Sequence, residues 1–144
     1  MCFADASVPA RAGPIPVASA ERLEVLRAMA TGGRLPRWTE WFDEADVAPM
    51  FPDARTRAEV AAEQSRLPLS YYEAALPNPP GWAGLPCGYL LFSAHYEPMA
   101  LDAEERGWRV ERLPGLHLHQ LVDPDAVAER LLAMTSGWGA VPGG

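Results

Sequence analysis

Apolar positions along this chain follow patterns that change from segment to segment. Met1-Cys2-Phe3-Ala4-Asp5 is short and apolar and gives way to Ser7-Val8-Pro9, as a buried strand does where it runs into a polar loop. Residues 19–30, SAERLEVLRAMA, place Leu23, Leu26, Met29 and Ala30 on one helical face, with Ser19 as N-cap and Gly32-Gly33 as the stop. From Leu35 to Phe51 the chain is aromatic and interrupted by proline, a text of short helical turns, and residues 54–65 predict a second helix closed by Pro68. Cys87-Gly88-Tyr89-Leu90-Leu91-Phe92-Ser93 is almost continuously apolar, which suits a strand buried on both faces. A helix from about Met99 to Arg106 ends at Gly107, and the alternation of residues 108–113 predicts another strand. The last helix is marked by Asp123 as N-cap, Pro124 at its first position and acids in its first turn.

Strand, helical insertion, strand, helix, strand, helix is the order of an α/β fold with a parallel sheet. At 144 residues the chain suits one compact domain, and 49% hydrophobic content with 22% charge marks it as globular. Its 15 prolines and 12 glycines gather in loops and in the C-terminal tail. The net charge of −7 and the lack of clustered basic residues exclude a phosphate-driven nucleic-acid partner. No apolar stretch reaches the length of a membrane span and no basic signal start is visible, so the expectation is a cytoplasmic protein without a membrane partner. Cys2 and Cys87 lack metal-ligand spacing and are expected as buried free thiols.

Candidate chemistry lies at the strand ends. The strand at 88–93 runs into Ala94-His95-Tyr96-Glu97-Pro98, and the strand at 108–113 runs into Pro114-Gly115-Leu116-His117, with His117 seven residues before Pro124. A histidine moves protons near neutral pH, and a carboxylate beside it fixes its tautomer. These segments resemble the C-terminal part of the α/β-hydrolase family, whose triad runs nucleophile, acid, histidine along the chain, each at a strand's carboxyl end. The resemblance implies His117 as general base and Glu97, just before a proline, as its orienting acid. It makes Asp5, at the end of the first strand, an alternative acid. His119, two residues after His117, points the same way if the segment is extended, and becomes pocket lining with His95 and Tyr96.

By the same resemblance residues 1–8 are the first strand of a partial core, 9–84 a helical lid, 85–134 the C-terminal core and 135–144 a flexible tail. The fold expected is a partial three-layer α/β-hydrolase with about three parallel strands. Trp38, Trp41, Phe42, Tyr71 and Tyr72 would line a substrate pocket in the lid, although aromatic clusters more often form core. No G-x-S-x-G occurs in the chain, and Thr135-Ser136-Gly137 has no strand before it, so the nucleophile elbow is missing. The implied function is an esterase-like acyl hydrolase of small molecules, truncated at its N-terminus and inactive alone. The alternative is a non-catalytic ligand-binding or interaction module. No cofactor is expected, and His95, His117, His119 and Glu97 match no metal motif. The first strand's edge predicts self-association or pairing with another chain.

Overall fold

The computed structural model describes residues 1–138. The part of the expected tail from residue 139 onward lies outside the described residues. The chain divides into two compact units, residues 1–9 with 83 onward, and residues 10–82.

In chain order the strands and α-helices are β1 (Cys2–Ala4), β2 (Ile15–Pro16), α1 (Ala20–Met29), α2 (Glu44–Val47), α3 (Ala54–Glu63), α4 (Leu69–Tyr72), β3 (Ala75–Leu76), β4 (Gly88–Leu91), α5 (Glu97–Glu105), β5 (Arg109–Arg112), α6 (His119–Val122) and α7 (Pro124–Thr135). Short 3-10 turns occupy Trp38–Glu40, Ala48–Met50, Trp82–Gly84 and Ala94–Tyr96.

In the first unit β1, β4 and β5 form a parallel sheet in that order, with Cys2 opposite Gly88 and Gly88 opposite Arg109. The all-apolar text of β4 follows from its central place, since every one of its residues is buried. The side chains of residues 89–92 alternate between two cores. Tyr89 and Leu91 pack against Ala100 and Ala103 of α5, whereas Leu90 and Phe92 pack against Val127 and Met134 of α7. One helix therefore covers each sheet face, and burial of each large apolar side chain stabilises this unit by roughly 1.5–3 kcal/mol. The Asp123 carboxylate caps α7 by accepting from the Ala126 N–H at 3.1 Å.

The second unit is mainly helical, with Leu26, Leu35, Val47 and Phe51 buried. Ser19 caps α1 through the Arg22 N–H, and Asp53 caps α3 through the Thr56 N–H. The helix α3 ends at Glu63 with Gln64 as its C-cap, short of Pro68, which instead stands at the N-cap of α4, the helix that carries Tyr71 and Tyr72. The antiparallel pair β2 and β3 is new relative to the sequence reading. No helix among the described residues is long and apolar enough to cross a membrane.

Candidate functional site

The sheet brings three chain segments together at its carboxyl edge. Asp5 follows β1, and its N–H makes the last rung of the ladder, donating to the Leu90 carbonyl at 2.9 Å. Its φ is then +45°, a left-handed conformation costly for a side-chain-bearing residue, though Asp tolerates it better than most. The strand thereby stops and the carboxylate sits over the end of β4. There Oδ1 accepts from the N–H groups of Phe92 at 3.0 Å and Ser93 at 2.9 Å. Oδ2 accepts from the Ser93 hydroxyl at 2.7 Å.

From the far side, the loop after β5 is pinned to the same edge. Leu113 and Gly115 donate to the carbonyls of Leu91 and Phe92 at 2.9 and 3.0 Å. His117 then reaches across the end of β4, a span of two strand spacings or about 10 Å, and its Nδ1 lies 3.0 Å from Asp5 Oδ2. An ionised carboxylate only accepts, so Nδ1 carries the proton and Nε2 is left as the basic nitrogen. Tyr96 stacks on the imidazole with ring centres 5.1 Å apart.

Asp5 is fully buried, and a bare carboxylate there would be expensive. Burial does push its carboxyl upward, but the hydrogen bonds from His117, Ser93 and Phe92 together outweigh it and hold the group below its ordinary 3.8. Asp5 is thus charged at neutral pH, as an acid that orients an imidazolium must be.

The carboxylate on His117 is therefore that of Asp5, and the expectation for Glu97 needs correction. Glu97 is the first residue of α5, with Pro98 beside it in the first turn, where proline is favoured and acids suit the helix dipole. Its Oε1 accepts from Arg112 Nη2 at 2.9 Å, while Nη1 of the same guanidinium donates to Glu104 at 2.8 Å. Both ends of the Glu97–Arg112 pair are about two-fifths exposed, at 42% and 43%. Leu91, Phe92, Ser93, Ala94, Glu97, Arg112 and Pro114 surround a shallow cavity of about 220 Å³ at the ends of β4 and β5.

The other histidines separate. His119 opens the short helix α6 instead of continuing an extended segment, and packs on the Phe92 ring at 5.6 Å. His95 meets the edge of Tyr96 at 5.1 Å. Among the described residues no three His, Cys, Asp or Glu side chains are grouped to hold a metal ion. Cys2 is half-buried and Cys87 buried, both as thiols, and burial pushes the Cys2 thiol up.

Within residues 10–82, Trp38, Trp41 and Tyr72 line a second cavity of about 230 Å³ with Pro36, Gln64, Ser65 and Leu67. Gln64 Oε1 closes one wall by accepting from the Thr39 N–H and hydroxyl, both at 3.1 Å. Phe42 and Tyr71 are not in the lining. They are 40% and 50% exposed and back the cavity through edge contacts to Trp38 and Tyr72. Ser93 and Tyr89 leave no local signal in the sequence, because their roles depend on which groups they meet after folding. Compared with known proteins, the chain matches no family model, no curated protein and no solved structure.

Proposed function

We propose that this chain supplies the acid–base part of an acyl hydrolase acting on small esters or lactones, with the nucleophile contributed by polypeptide outside these 144 residues. The observation that carries the reading is the 3.0 Å contact between His117 Nδ1 and the fully buried Asp5 carboxyl group at the carboxyl edge of a parallel sheet. The α/β-hydrolase resemblance supports it. In this reading Asp5 holds the imidazole in the tautomer that leaves Nε2 basic; Nε2 takes the nucleophile's proton during attack and returns it to the leaving alkoxide. Glu97 has no part in the proton path. The outer edge of β1 is the place where a further strand, from another copy or another chain, adds to the sheet.

The test is to co-produce the chain with a polypeptide that carries a G-x-S-x-G strand-to-helix turn and to follow hydrolysis of p-nitrophenyl butyrate. Turnover is expected only from the pair, falling by about 10³–10⁴ in His117→Ala or Asp5→Asn and persisting in Glu97→Gln. Turnover that ignores Asp5→Asn would overturn the assignment. A second reading, a ligand-binding module without chemistry, is favoured by the aromatic cavity around Trp38 and Trp41. It is distinguished by small-molecule binding to the isolated chain that survives His117→Ala but not Trp41→Ala.

A further inference from the structure

The backbone just after Asp5 is held by a side chain from the neighbouring strand. Tyr89, in the middle of β4, is fully buried and packs its ring with Leu91, Ala100 and Ala103. Its hydroxyl emerges from that core at Ala6, where it donates to the Ala6 carbonyl at 2.8 Å and accepts from the Ala6 N–H at 3.0 Å. One oxygen thus satisfies both polar backbone groups of the residue that follows the left-handed Asp5. A free chain would relax away from φ +45°; here the peptide planes before and after Asp5 are both fixed, the first by Leu90 and the second by Tyr89. Once they are fixed, the direction of the Asp5 side chain toward His117 follows.

We propose that Tyr89 is a positioning residue for the Asp5–His117 pair, acting through the Ala6 backbone. The inference rests on the acid–base reading of that pair, but it can be tested on the isolated chain without any turnover. Burial, aided by the nearby Asp5 charge and opposed by the Ala6 hydrogen bond, pushes the Tyr89 phenol up to about 12, so it remains a proton donor throughout the working pH range.

The experiment compares Tyr89→Phe with the wild-type chain by NMR. The wild type is expected to show a hydrogen-bonded His117 Nδ1–H resonance far downfield and slow exchange of the Ala6 amide. In Tyr89→Phe the Nδ1–H signal should be lost by exchange broadening, while the far-ultraviolet circular dichroism and the His119 resonances stay in place. Val110→Ala, which loosens the same core without reaching Ala6, should keep the Nδ1–H signal although its melting temperature falls. A Tyr89→Phe protein that melts earlier but retains the Nδ1–H signal reduces Tyr89 to a core residue and overturns the proposal. If that variant does not fold, the Ala6 amide of the wild type decides: exchange as fast as that of exposed Ser7 overturns the clamp. A wild-type chain with no Nδ1–H signal instead sinks the acid–base reading itself, a different result from failure of the clamp.

Discussion

Asp5 and Glu97 show how little residue type says about role. Both are acids near strand ends, yet one is fully buried with four donors on it and the other shares an exposed arginine with Glu104. Replacing Asp5 with Asn should keep Oδ1 on the two backbone N–H groups and put an amide NH₂ where Oδ2 met His117. The imidazole must then present a bare Nδ1 and carry its proton on Nε2, the wrong tautomer for a base. Loss of charge-assisted hydrogen bonds to a buried group should cost about 2–3 kcal/mol, read from urea unfolding at neutral pH. The Asp5 carboxyl lies below its ordinary 3.8 in the native state, so in acid the unfolded chain binds this proton first. Its stabilising contribution is complete above that ordinary value and disappears as the pH falls through the lower native one. Wild-type and Asp5→Asn stabilities should accordingly converge as the pH falls below 3.8, and a constant gap across the acid range would show that Asp5 is not held as described.

At the scale of elements, the parts legible in the sequence were those with local causes. Asp123-Pro124 marks α7 because capping needs only adjacent residues, and the apolar run of β4 reflects burial on both faces. The pair β2 and β3 left no such trace, because two-residue strands sixty positions apart pair only after the chain between them has folded. The choice between Glu97 and Asp5 was hidden for a similar reason. Proline after Glu97 reads equally well as a turn or as a first helical turn, and the left-handed bend at Asp5 is visible only in the backbone. Loop and helix meet most tightly at Gly115. A Cβ there would lie 2.4 Å from Nδ1 and 2.5 Å from Cγ of His119, so the ring of α6's first residue occupies the space a side chain would need. Gly115→Ala should displace His119 from Phe92 and destabilise the first unit by about 1–3 kcal/mol. Thermal melting and the His119 ring resonances report both effects, and an unshifted His119 would show that the loop yields instead.

For the molecule as a whole, β1 forms one edge of the parallel sheet. The rungs from Gly88 to the Met1 carbonyl and from Asp5 to the Leu90 carbonyl assign the odd-numbered residues of β1 to β4. Cys2 and Ala4 therefore turn their N–H and C=O groups the other way, where no further strand is paired among the described residues. Such an edge associates unless something masks it. Opposing association is the net charge of −7 on every copy, a repulsion that salt screens because the Debye length shortens to about 10 Å at 0.1 M. Self-association through β1 should therefore strengthen as salt is added, the reverse of association driven by ion pairs. Ala4→Pro removes one outward N–H and places a ring on the edge, a substitution that edge strands tolerate. Sedimentation velocity should show the wild-type chain growing heavier with protein and salt concentration and Ala4→Pro remaining at 15.7 kDa under the same conditions. Equal association of the two proteins would move the contact away from β1 and leave its edge for a strand of different sequence.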